Sequence, residues 1–494
     1  MNEERTRVSL HRWSDLSSVD AVLAQCLADL GGIEAFVRPG QTVVIKPNIT
    51  ANAPSDSGGT THMELVEAIV RQVQRCSPGR VVVAEGTGAF GITHESAFPT
   101  GGWREMAART GVELWNLDAG PFVELELENP RYEGTIPFSQ LIYEADVFIT
   151  VPCLKTHITA DYTVVLKNAY GQTPQWKRSE IHRQYLLEQS LVDLNRIRKP
   201  DLCVVDGYDG AEGIAGGTDF ERPAGARLML VGTDPVAVDV ISRDLMEFSA
   251  RTRYLTWAIE DGLGIANREQ IEVLGESVED LRRHFMTSGE ELCLFLPDLT
   301  LHDCDACSGC RIAAQSAMNR FRYQKLLKPV DVIYGGLGDR PQPKGETFVI
   351  GNCAERFADL GTHIGGCPAP VGEIIDALEA AGVICHICRD RAADALPALP
   401  AEFKAHLRVV AAGAEVFAGD SVERDKWHLQ LLVGDCMKRY AFAVEERASQ
   451  FGIDPDRDIV WLRGCPVEAD AITQALDRLH QVFLEHGTTA DAQA

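Results

Sequence analysis

No stretch of this sequence is long and apolar enough to span a bilayer. The start, Met-Asn-Glu-Glu-Arg-Thr-Arg, lacks the apolar core of an export signal. The expectation is therefore a cytoplasmic chain with no membrane partner. An excess of base is missing too, since the formal net charge is −25 over 494 residues. Non-specific binding to nucleic acid or to an anionic membrane needs a basic face, so no nucleic-acid partner is expected. There is no Gly-x-x-x-x-Gly-Lys-Ser/Thr loop, and no Gly-x-Gly-x-x-Gly follows a strand. A nucleotide cofactor is not indicated.

Cysteine, by contrast, is plentiful, with 14 in the chain. In a reducing compartment these do not make a disulfide framework, so metal or redox chemistry comes first. The length allows two or three domains with full cores.

The first part alternates strand and helix. Thr42-Val-Val-Ile-Lys46-Pro47 reads as a buried strand, and Pro47 ends its ladder. Thr61-His-Met-Glu64 has the form of a capping box before a helix with apolar Leu65, Ile69, Val70 and Val73. Strands follow at 81–85, 146–152, 202–207 and 228–232. Asp234 is placed to cap a helix that has Pro235 at its first position. The fold class predicted is α/β: open, mostly parallel sheets with helices on both faces.

In such sheets ligands bind beyond the carboxyl ends of the strands. Lys46, Asn48, Glu85, Lys155, His157 and Asp206 fall there, and Lys167, Asn168 and His182 lie between them. Lysines supply point charge for carboxylate or phosphate, and histidines exchange protons near neutral pH. These residues could form an anion pocket in an acidic protein. The plainer alternative is a set of ordinary loop residues at strand ends.

The blocks Val-Ile-Lys46-Pro47-Asn48, Pro152-x-x-Lys155-Thr156-His157, Leu-Lys167-Asn168-x-x-Gly171, His182, Val-Asp206-Gly207 and Asp234-Pro-Val-Ala-Val-Asp239 occur in this order. In these blocks the chain resembles the family called domain of unknown function 362. The resemblance implies that the polar residues belong to one site, acting on a small anionic molecule, and that iron–sulfur ligands share the chain. It names no reaction.

The second half repeats itself. Cys307-x-x-Cys310, Gly351-Asn-Cys353 and Gly366-Cys367-Pro368 are followed by Cys385-x-x-Cys388, Gly434-Asp-Cys436 and Gly464-Cys465-Pro466. The domains expected are 1–285 with the pocket, 286–380 and 381–482 as the two repeats, and 483–494 as a flexible tail. Four thiolates per copy suit one or two 4Fe-4S clusters. Structural zinc on four cysteines is the alternative, and redox thiols without metal the third. Cys304 has no twin and is either a further ligand or a nearby free thiol. Cys26, Cys76, Cys153, Cys203 and Cys293 read as buried small hydrophobes, with Cys153 also open to a reading as an activated thiol.

Together these features point to an iron–sulfur oxidoreductase. It would take electrons from a ferredoxin-type donor and reduce a small anionic substrate held by Lys46, Lys155 and Lys167. His157 or His182 would give the proton. One alternative is a hydro-lyase or sulfur-handling enzyme with an open iron. Another is a non-enzymatic metal- or cluster-binding protein.

Overall fold

A computed structural model describes residues 5–49, 55–86, 98, 102–214, 222–249, 251–322, 326–384, 387–411, 414–419, 428–434, 437, 453–464 and 466–490. The chain divides into two compact units, Met1–Glu291 and Leu292–Ala494.

The first unit is built on one eight-stranded sheet. Its strands are β1 (Thr6–Arg12), β2 (Thr42–Pro47), β3 (Arg80–Glu85), β4 (Glu113–Asn116), β5 (Val147–Val151), β6 (Leu202–Gly207), β7 (Leu228–Gly232) and β8 (Ile271–Gly275). Their spatial order is β8-β1-β7-β6-β5-β2-β3-β4. All neighbours are parallel except at β7, which runs antiparallel to both β1 and β6. Successive side chains of a strand face opposite ways. Val43 and Ile45 accordingly join one core and Val44 the other. With both faces covered, the strands read as unbroken apolar runs.

Two helix starts differ in how they are held. Asp234 accepts from the backbone N–H of Val236 and Ala237, each at 2.9 Å, as its position predicts. The capping box at Thr61 does not form, because the helix Met63–Gln74 begins without a side-chain cap. The Thr61 hydroxyl instead donates to the Val151 carbonyl at 2.8 Å and accepts from the Asn48 N–H at 2.9 Å. Tertiary hydrogen bonds have taken over the local one.

The second unit holds two four-stranded sheets. In one, β9 (Leu299–Asp303), β10 (Val330–Tyr334), β11 (Glu346–Ile350) and β12 (Thr362–Ile364) are parallel in that order. In the other, β13 (Leu407–Ala411), β15 (Leu429–Val433) and β16 (Ile459–Leu462) are parallel, and β14 (Ala414–Ala418) forms an antiparallel edge on β13.

Two expected boundaries move. The first unit runs to Glu291, not 285, because the Glu291 carboxylate holds the Ile214 N–H at 2.5 Å. The flexible tail expected from 483 is helical instead, in Ala469–Ala490. Val482 and Phe483 continue the apolar stripe of Leu476 and Leu479 and pack on the core. The loop ending at Gly91, and residues 215–217 of the glycine-rich loop, lie outside the described residues. Among the described residues no helix is long and apolar enough to cross a membrane.

Candidate functional site

Parallel β2, β3, β5 and β6 end side by side, so the polar residues that follow them collect at one edge. Lys46 ends β2 and Glu85 ends β3. The Lys46 ammonium lies 2.8 Å from Glu85 Oε1 and also donates to Asn168 Oδ1 and the Pro47 carbonyl, each at 3.1 Å. Asn168 donates in turn to Thr150 Oγ1 at 2.8 Å. Glu85 accepts the N–H groups of Ile49 and Gly86 at 3.0 and 2.8 Å. Gly171 covers this pair closely. A Cβ there would lie 2.6 Å from Glu85 Oε1 and 2.8 Å from Lys46 Nζ. Lys46, Glu85 and Asn168 thus satisfy one another. They form the floor of the site, whereas the sequence suggests substrate ligands.

Lys155 and Lys167 differ. Lys155, on the short strand Lys155–His157, is wholly buried, and its ammonium donates to the Gly59 carbonyl at 2.6 Å. Burial brings its pKa down to about 8. Lys167, in the one-turn helix Val165–Asn168, has neither a carboxylate nor a hydrogen-bond partner among the described residues. Burial, then the charges of Lys155 and Lys46, bring it down to about 7.

The two histidines join this group. His157 Nδ1 accepts from the Thr159 N–H at 3.0 Å, which leaves the proton of a neutral ring on Nε2. Burial, and then Lys167, His182 and Lys155, hold His157 far below the usual imidazole range. His182 packs edge-on to Tyr170 and is brought down to about 3 by burial, Lys167 and Arg178. Both rings are neutral at neutral pH. A proton given by either histidine would therefore come from a neutral ring.

Asp206 departs from its expected role as a substrate ligand. Its carboxylate accepts both the backbone N–H of His62, at 2.6 Å, and His62 Nδ1, at 2.9 Å. Asp209 takes Nε2 at 3.2 Å. Burial disfavours the imidazolium, but Asp206, Asp209 and Glu64 outweigh it and hold His62 up to about 9. Asn48 is buried, and among the described residues its Oδ1 has no hydrogen-bond partner, as is true of Thr60 Oγ1 and Thr173 Oγ1. Sequence reasoning missed His62, read only as part of a cap, and Arg178. Arg178 is 2 % exposed and pairs with Asp118 at 2.9 Å. An arginine preceding an ordinary helical pattern gives no local sign of burial.

Cys153 is not activated, since burial pushes its thiol well up and it donates to the Gly58 carbonyl at 2.9 Å. Cys26, Cys76 and Cys203 are buried, while Cys293 is half-buried.

In the second unit Cys307 and Cys310 start the helix Ser308–Asn319, Cys353 follows β11, and Cys367 follows β12. Burial pushes the Cys310 thiol up to about 11; a hydrogen bond from the Ala369 N–H opposes this, while the charges of Cys307, Cys367 and Cys353 add to it. Gly351 has φ 91°, and a Cβ on it would collide with Cys310 Sγ. Cys304 stands apart. It packs with Ile333, Val349, Ala354 and Phe357, and its thiol faces the Asp339 carbonyl at 3.7 Å. Its position is that of a core residue. Cys385, Cys436 and Cys465 lie outside the described residues. Cys388 is buried and accepts the Val467 N–H at 3.2 Å. Among the described residues no group of three or more His, Cys, Asp or Glu converges closely enough for a single metal ion.

Residues 43–244, which hold Lys46 through Asp239, match the family described as domain of unknown function (DUF362). A thylakoid-associated protein of Synechocystis is 28% identical over 263 residues, covering 51% of this chain and 77% of that protein. The lactate racemase apoprotein of Thermoanaerobacterium thermosaccharolyticum aligns at a TM-score of 0.31 and 9% identity, over 68% of this chain and 71% of that one. At that score the likeness carries no argument. The DUF362 match covers every lysine and histidine of the pocket and stops short of every cysteine of the second unit.

Proposed function

We propose that this chain is an iron–sulfur oxidoreductase that reduces a small anionic substrate. The observation that carries the reading is Lys167, buried with no carboxylate or hydrogen-bond partner among the described residues and set beside the buried ammonium of Lys155, in a chain of net charge −25. A lysine buried in this way is costly unless an anion completes it. The Thr60 and Thr173 hydroxyls, which have no hydrogen-bond partner among the described residues, are donors that an anion could use.

Electrons would come through a 4Fe-4S cluster on Cys307, Cys310, Cys353 and Cys367, supplied by a ferredoxin-type donor. The donor set fits that group. Zinc requires its four ligands to close on one ion, whereas a four-iron cluster spreads them, one thiolate to each iron. The Ala369 N–H on Cys310 is the kind of backbone contact that tunes a cluster thiolate. With Cys304 in the core, four cysteines remain rather than three, which favours electron transfer over an open iron. When bound, the cluster supplies single electrons. The chain's own part is to hold the anion, exclude water and deliver the proton. Lys155, mostly an ammonium at neutral pH, takes the acid role.

The test is reoxidation. Full-length protein, reduced anaerobically with dithionite and freed of excess, is offered small carboxylates bearing a carbonyl or an activated double bond. At least one should restore the oxidised spectrum rapidly. Lys155→Met should slow that step by roughly a hundredfold, the scale of losing a general acid. Equal rates in wild type and Lys155→Met for every acceptor would contradict the proposal.

A further inference from the structure

Lys46, Lys155 and Lys167 lie together yet occupy three different states. Lys46 is committed to Glu85 and Asn168, and Lys155 to the Gly59 carbonyl. Lys167 alone of the three has no partner among the described residues, and it is the most accessible, at 7 % exposure against 0 % for Lys155 and 1 % for Lys46. Its backbone is fixed. Buried Asp239 accepts the Val165 N–H at 2.8 Å and the Leu166 N–H at 3.4 Å, so the turn carrying Lys167 is anchored from the helix Pro235–Leu245.

We propose that Lys167 is a nucleophilic amine that forms a Schiff base with the carbonyl group of a 2-oxo carboxylate. The amine lone pair attacks the carbonyl carbon. The oxygen then leaves as water with both amine hydrogens, and a carbon–nitrogen double bond remains. No oxidant or reductant is consumed. Lys155 faces the carboxylate, and the neutral ring of His157 offers its Nε2 proton as a hydrogen bond to the departing oxygen. Two further conditions suit this chemistry. An amine buried beside another cation keeps a free lone pair at neutral pH, as its pKa of about 7 indicates. An iminium is also a better electron acceptor than the parent ketone, which connects the step to reduction. The inference rests on the anion-binding part of the proposed function and narrows the substrate class.

The test uses full-length protein, pyruvate and cyanoborohydride, followed by peptide mapping, with oxalate as an anion that offers no reactive carbonyl. Lys167 should carry the reduced adduct at no less than about tenfold the occupancy of exposed Lys344, the scale expected of a positioned nucleophilic amine. Oxalate should bind by calorimetry and suppress labelling of Lys167 but not of Lys344. Lys167→Arg should lose the adduct. If oxalate binds while Lys167 is labelled no more than Lys344, or if Lys155 takes the label, the Schiff base is overturned and the anion pocket stands. If oxalate neither binds nor protects, both readings fall.

Discussion

Buried charge decides most of what this protein can do at the level of single residues. His62 is held as a cation between Asp206 and Asp209, and its folded pKa of about 9 lies above the ordinary value of 6.5. The stabilisation from this triad is therefore complete below about pH 6.5 and is lost as pH rises through about 9. His62→Gln should be less stable than wild type by about 3 kcal/mol at mildly acidic pH, and that gap should shrink as pH rises and be lost only above about pH 9. Urea unfolding across this range checks it; a gap independent of pH would contradict the triad. Such a pairing was hidden in the sequence, because His62 and Asp206 are 144 residues apart and neither stands in a local motif that names the other. Lys155 and His157 were legible for the opposite reason. They follow β5, and strand ends in a parallel sheet share one edge. Legibility stopped at protonation state: the same burial that makes the site also neutralises the two histidines read as acids.

Among elements, the strands and the cap at Asp234 were readable from short-range pattern. The false cap at Thr61 was not, since its hydroxyl serves β5 instead. Asp234 accepts from Val236 and Ala237 and, with its second oxygen, from the Ile265 N–H at 2.8 Å. Asp234→Ala should lower stability by about 2 kcal/mol, at the upper end of cap losses. Chemical denaturation of the first unit measures this. The turn after β11 offers a sharper case. Gly351 and Gly434 have φ of 91° and 102°, and their N–H groups bond the carbonyls of Ile364 and Leu462 at 2.8 and 2.9 Å. Their own carbonyls accept ring nitrogens of His363 and Trp461 at 3.2 and 3.0 Å. The pattern Gly-x-Cys in the sequence marks these turns, though not the contact between Gly351 and the Cys310 sulfur. Gly351→Ala should cost about 1–3 kcal/mol through that collision and the positive φ. A thermal melt together with iron content would show whether the thiol set is disturbed as well.

For the whole molecule, the sequence suggests a first part with a polar pocket and two cysteine-bearing repeats after it, and the chain divides into two compact units, Met1–Glu291 and Leu292–Ala494. The exact border was not readable, because the helix Ser288–Phe295 runs across it and Glu291 is tied backward to Ile214. Strand β9 was also missed. Its polar residues Thr300, His302 and Asp303 mask the edge of an otherwise apolar sheet. The role of Cys304 could not be settled from spacing, since Cys-x-x-Cys-x-x-Cys looks complete in itself; only the packing around Ile333 and Phe357 separates it from the other two. The central claim is that Cys307, Cys310, Cys353 and Cys367 carry an iron–sulfur cluster in this chain. It is tested most directly by iron, sulfide and zinc analysis of anaerobically purified full-length protein, with an EPR spectrum after dithionite. The account predicts iron and acid-labile sulfide, and a reduced-cluster signal that changes in Cys367→Ser and stays the same in Cys304→Ser. Protein containing zinc alone, or a signal that ignores Cys367→Ser and responds to Cys304→Ser, would contradict it.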